Sequence, residues 1–374
     1  VVTAGITTSS NGVLTTDLSG SVTLADGSVS NIAGATTIDA DGAIVAGGST
    51  TSVGQVLLKS NTDSITINSS ASMTSSTQNV TLEAEDSITV SSTAVVSTTL
   101  GEIIFRSGLG DTDSSGRMTL NGIIQALAAG QFITLDLNQQ QGATQSSTGA
   151  LIASSLRLIS TGNVAGSFSL GTSTLNDVDT LAAQTSGAVT FKDLDTLTVG
   201  SISGSSGIAA MAGISTWSGV ADSAPVSITT GGNLTVNQAI DTRRVGSSIS
   251  VGTVTLNSAG IMVLTGSGNI TSDGVVQLTA SSGIQTDADI TTTNDNVTLV
   301  SATTLTGAVA INTGTGAGTI AFNNTLNGGQ NLTLSAGTGN IDFDAAVGNT
   351  ARLGILTIVS ATNVTADTTV TAAS

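Results

Sequence analysis

The sequence predicts an all-β chain wound as a parallel β-helix (a β-solenoid) with coils of roughly 20–25 residues. Three observations carry that prediction. Short apolar-Thr-apolar triplets recur along the chain. A longer unit repeats after 21 residues near the C-terminus (322 to 343). The composition supplies many small apolar side chains and few large ones.

The triplets are Val22-Thr23-Leu24, Ile65-Thr66-Ile67, Val80-Thr81-Leu82, Ile88-Thr89-Val90, Leu197-Thr198-Val199, Leu234-Thr235-Val236, Val254-Thr255-Leu256, Val297-Thr298-Leu299 and Leu332-Thr333-Leu334. Side chains alternate faces along a strand, so each triplet puts two apolar groups on one face and Thr on the other. Asn or Gly flanks most of them and supplies the turn. A three-residue strand buries almost nothing alone. Stacked coils about 4.8 Å apart would join such strands into continuous interior ladders.

The longer unit is Gly316-Ala317-Gly318-Thr319-Ile320-Ala321-Phe322, matched by Gly337-Thr338-Gly339-Asn340-Ile341-Asp342-Phe343, with a weaker copy at Gly266-Ser267-Gly268-Asn269-Ile270. Over the full length this period gives about 15–18 coils. A meander or barrel is the structural rival, but its hairpins call for longer amphipathic strands. The expected organisation is a single continuous solenoid over 1–374. The strand rhythm breaks at 107–117, 138–149 and 205–225, which are expected to be loops leaving the coil.

Composition sets the remaining bounds. Of 374 residues, 39% are apolar but only 2% aromatic, so the core is built from Val, Ile, Leu and Ala. The six Phe (105, 132, 168, 191, 322 and 343) are expected as occasional interior fillers. Charged residues make up 9%, against about 25% in an average domain. The net charge is −17, with eight basic residues spread along the chain, which excludes a basic nucleic-acid groove and disfavours an anionic membrane. No apolar run is long enough to span a bilayer. No signal peptide is visible, and the chain reads as mature or excised from something longer. Cys is absent, so stacking rather than disulfides must supply stability.

Several stretches resemble filamentous-haemagglutinin-like repeats of large bacterial exoproteins. They are Ser155 to Asn163, Asn176 to Ala183, Ala188 to Phe191, Asp195 to Gly200, Val226 to Asn237, and Ile320 to Val347 continuing through Leu353 to Ile358. The resemblance is closer over 150–374 than over 1–150. It implies a right-handed parallel β-helix, export across a Gram-negative envelope, and adhesive or matrix roles. It implies no catalytic residues.

Candidate chemistry is sparse. With no His and no Cys, His-based triads, Cys nucleophiles and the usual zinc sites are excluded. Asp177/Asp179, Asp193/Asp195 and Asp342/Asp344 are i, i+2 pairs expected to share an exposed strand face, and they are the only basis for an Asp-dependent polysaccharide hydrolase. Asp111, Asp113 and Ser115, followed by Gly116, place oxygens like the opening of a Ca²⁺ loop, although Gly122 stands where a bidentate carboxylate belongs. Ca²⁺ is the sole cofactor these residues suggest. Trp217 is the candidate partner contact. Sequons such as Asn79-Val80-Thr81 and Asn331-Leu332-Thr333 follow from the strand pattern and are read as structural. Outward Thr residues suggest an ice-binding ladder, but one that is irregular and interrupted by loops.

The expected function is therefore structural: a component of a secreted or cell-surface filament, rod or matrix, not an enzyme. Val1-Val2-Thr3 and Val370 to Ser374 both read as ordinary repeat, so the coils are expected to continue end to end, within a longer chain or by stacking of copies. The alternative is an adhesin shaft whose loops bind glycans or other cells.

Overall fold

The computed structural model describes residues 6–8, 14–24, 29–31, 34–110, 116–138, 142–160, 166–216, 223–243 and 252–373. Every regular element among them is a β-strand, and parallel pairing dominates. The chain is an all-β parallel solenoid, as the triplets predict. No helix among the described residues is long and apolar enough to cross a membrane. The chain divides into two compact units, Val1–Thr180 with Gln184–Lys192, and Leu181–Ala183 with Asp193–Ser374.

In the first unit one coil comprises strands Val56–Ser60, Ile65–Ile67 and Ser72–Ser75, and the next comprises Val80–Ala84, Ile88–Val90 and Val95–Thr98. They pair in register: Val56 with Val80, Ile65 with Ile88, Met73 with Val96. The coil is thus 23 residues at Ile65–Ile88, and 30 at the next step, Ile88–Met118. The extra seven residues fall in the expected insertion at 107–117.

The other two expected loops are only partly loops. Within 138–149, strand Gly142–Gln145 sits in a ladder between Met118–Leu120 and Ser167–Leu170. Its Gly and Gln hid it from an apolar triplet search. Within 205–225, Met211–Ala212 returns antiparallel on Ser201–Ile202, and Ile214–Ser215 already pairs with Ile240–Asp241.

In the second unit, Val254–Ser258, Val276–Ala280, Val297–Leu299, Ile320–Phe322 and Asn340–Phe343 stack in sequence. The 21-residue repeat is one coil: Ile320 pairs with Ile341 and Phe322 with Phe343. The two Phe rings stack with centroids 5.4 Å apart and planes 11° off parallel. At the corner of that coil, Gly337 has φ of +56°, and an added Cβ would strike the Thr315 carbonyl carbon.

The core is the set of interior ladders. Strand after strand reads buried, half-buried, buried, with the triplet Thr in the middle. Five of the six Phe are buried; Phe132 is half-buried and faces out. Inward Ser and Thr close the corners. Ser52, Ser75 and Thr98 follow one another in one ladder, and their hydroxyls donate to the carbonyls of Gly34, Gly54 and Gln78. Asn does the same between coils. The side-chain oxygens of Asn79, Asn233, Asn296 and Asn331 accept from the backbone N–H of Glu102, Ile261, Thr319 and Ile355, each one coil further on. The sequon Asn residues are therefore corner fasteners, in keeping with their structural reading.

Candidate functional site

Asp111, Asp113, Ser115 and Trp217 lie outside the described residues. Among the described residues, no group of three or more Asp, Glu, His or Cys is placed to hold a metal ion.

The three carboxylate pairs differ. Asp177 and Asp179 do share an exposed face on either side of buried Val178. They border an open groove of about 260 Å³ whose other side is Leu127, Ala128, Ala129, Ile152 and Ala153. Asp193 and Asp195 do not share a face. The strand Val189–Asp193 ends at Asp193, which is buried and accepts the Asp195 backbone N–H at 3.2 Å, while Asp195 is exposed. Alternation stops with the strand, so the i, i+2 rule fails there. Asp342 accepts a hydrogen bond from the Thr365 hydroxyl one coil on, and Asp344 is exposed beyond the strand end.

The first unit gathers charges that look scattered in sequence. Asp39, Lys59, Glu83, Arg106 and Asp136 are consecutive partners in one outward row. The row alternates in sign, and two of its steps are ion pairs: Lys59 to Asp39 at 3.5 Å and Arg106 to Glu83 at 2.7 Å. Two residues before it in each strand, the outward row runs Thr81, Ile104, Thr134, Arg157, and all four are buried. Arg157 donates from Nε to Thr134 Oγ1 at 2.9 Å, reaches Glu102 at 3.4 Å, and lies 4.9 Å from the Phe132 ring centroid. Burial pulls the Arg157 pKa down, opposed by the Glu102 carboxylate. Burial pushes the Asp136 carboxyl up, opposed by the Asn138 backbone N–H and by Arg106. The sequence does carry a signal for the row: its members recur at coil spacing.

A second outward row of the first unit is neutral. Thr23, Val45, Thr66, Thr89, Thr119, Thr144, Ser169 and Thr190 are consecutive register partners. Its members are half-buried or exposed. The ladder is therefore more regular here than the spacing of the Thr residues suggests, since unequal corners hide it. A depression of about 140 Å³, lined by Arg117, Gly142, Thr144 and Ser169, interrupts the row toward its end.

The last coil of the second unit presents a third surface. Leu353–Ser360 pairs with Leu332–Ser335, and Asn363–Ala366 with Asn340–Phe343. Ladder positions that are buried one coil earlier are open here. Leu334 is 0% exposed and its partner Ile358 39%; Ile341 is 0% and its partner Val364 46%; Val347 is 1% and its bridge partner Val370 43%. Among the described residues, the strand Asn363–Ala366 has a neighbour on one edge only. Searches of protein-family models, of curated proteins and of solved structures each return no match to this chain.

Proposed function

We propose that this chain is a structural segment of a secreted or cell-surface filament, rod or matrix, in which further β-solenoid coils stack on its last coil. The carrying observation is the open interior ladder at Ile358, Val364 and Val370. A solenoid coil gains its stability from the next coil, because only stacking hides its apolar ladder and pairs its strand edges. Burying each such side chain is worth about 1.5–3 kcal/mol. A bound small molecule would leave the backbone edge unpaired, whereas another coil satisfies both. The docking of one end on a different end is heterologous and does not close, so it builds fibres. The absence of His and Cys favours this reading over catalysis that depends on those residues. The resemblance to haemagglutinin-like repeats supports a Gram-negative bacterial source and an exported location.

The test is electron microscopy and light scattering of the purified chain, alone and as Val364→Lys. Fibres that lengthen with concentration, and that Val364→Lys abolishes while the β-sheet circular dichroism is kept, are the expected result. Short monodisperse particles at every concentration sink end-to-end stacking of copies. The adhesin-shaft reading has one observation in its favour: the antiparallel excursion Ser201–Ile202 to Met211–Ala212 departs from the coil pattern. Deleting 203–210 should then abolish attachment to cells or glycans and leave the fold intact.

A further inference from the structure

The row Thr66, Thr89, Thr119, Thr144 of the first unit differs from the Ser and Thr of the interior. The interior hydroxyls donate to corner carbonyls. The hydroxyls of these four, and of Thr23 and Thr190, make no hydrogen bond within the chain among the described residues. They stand one per coil, about 4.8 Å apart. Two residues away on either side the outward positions are small and neutral: Ser64 and Asn68 beside Thr66, Ser87 and Ser91 beside Thr89. Arg117, beside Thr119, and Lys192, beside Thr190, are charged flanks of the longer row. The other outward row described above is an alternating ladder of charge.

We infer that this neutral hydroxyl row is a lateral docking surface for the same row of a second copy. The inference rests on the filament reading and names a further contact within it. Three physical points select this occupant. A hydroxyl both donates and accepts, so a row of Thr is complementary to itself, unlike a row of carboxylates or ammonium groups. Two identical copies have identical coil spacing, so every hydroxyl across a two-fold axis finds a partner at the same repeat. The chain carries −17, so contact between copies is favoured on surface that adds little like charge, and the row's own hydroxyls carry none.

The geometry also sets the strength. Eight strands at about 4.8 Å, each presenting about 10–15 Å of width, cover on the order of 500 Å² per copy, or about 1,000 Å² in all. That is at the low end of specific interfaces, so one pair of copies associates weakly. Copies already stacked end to end would repeat the contact many times and bundle tightly. Salt should strengthen the association. Asp63 and Asp86 flank the row at its corner, where Asp86 accepts from the Ser64 hydroxyl at 3.0 Å, and screening relieves their repulsion across the interface.

The test uses the full chain carrying Val364→Lys, which removes end stacking, and compares it with the same chain also carrying Thr66→Lys, Thr89→Lys and Thr119→Lys. The added substitutions are outward, and circular dichroism checks that both proteins fold. Sedimentation velocity across concentration at about 50 and 500 mM NaCl gives the dimer constant. The expected result is a weak dimer in the Val364→Lys chain, tightened by salt, and weakened about tenfold or more by the three lysines. A Val364→Lys chain that stays monomeric at both salt levels overturns the inference, as does a dimer unaffected by the lysines. Failure of end stacking shows instead as wild-type chains that never exceed the dimer.

Discussion

Asp136 is a side chain whose surroundings work against its charge. It ends the alternating row beside Arg106, yet burial outweighs that attraction and raises its pKa. A raised pKa in an acid means that the folded state binds the proton more tightly than the unfolded chain. Stability from this group is therefore greatest at low pH. It falls as pH rises from the unfolded carboxylate value through the folded one, and stays lower above it. Asp136→Asn keeps an oxygen for the Asn138 backbone N–H, now bonded at 3.1 Å, and removes the charge. The expected outcome is a melting temperature higher by roughly 1–2 °C at pH 7, with the gain vanishing near pH 3. An unchanged or lower melting temperature at pH 7 would show that the Arg106 pairing dominates. Arg157 is the opposite case. It is fully buried, but Glu102, Thr134 and the Phe132 ring surround it, and a guanidinium stays charged despite the downward shift.

At the scale of the element, the unit of construction is one strand with one corner. The Asn oxygen that fastens each corner to the next coil is the part most open to test. Asn331 accepts the Ile355 N–H at 2.8 Å and so holds the last coil in place. Asn331→Ala should cost about 1 kcal/mol, and Asn331→Asp, which keeps the acceptor, much less. Hydrogen exchange of residues 353–366 reads this directly; equal protection in Asn331→Ala and the parent would remove the fastener role. The strands themselves were legible, since Ile320-Ala321-Phe322 and Ile341-Asp342-Phe343 match in sequence and pair in space. What lies on the outer face was not. Alternation says that Thr81, Ile104, Thr134 and Arg157 share a side, but not that this side is covered. The strand Gly142–Gln145 was missed because stacking, not its own residues, makes it a strand.

At the scale of the whole molecule, two electrostatic effects oppose each other. The described ion pairs all lie in the first unit, and added salt weakens them. Lys59–Asp39 and Arg106–Glu83 are partly exposed pairs worth about 0–1 kcal/mol each. Against them stands self-repulsion. The first unit has 14 acidic and 5 basic residues, and the second 11 and 3, so their net charges are −9 and −8. Unbalanced charge of this size destabilises the compact state, and salt relieves it in both units. Repulsion summed over this excess of carboxylates exceeds the loss from two surface pairs, so salt should stabilise the protein overall. The two units should nevertheless respond unequally, because the ion pairs described above lie in the first. Calorimetry of the Val364→Lys chain from about 20 to 500 mM NaCl is expected to show a rising melting temperature. Hydrogen exchange over the same range should show protection growing more at Val254–Ser258 and Val276–Ala280 than at Val56–Ser60 and Val80–Ala84. A melting temperature that falls with salt would mean that the alternating row, rather than net charge, governs the stability of the solenoid.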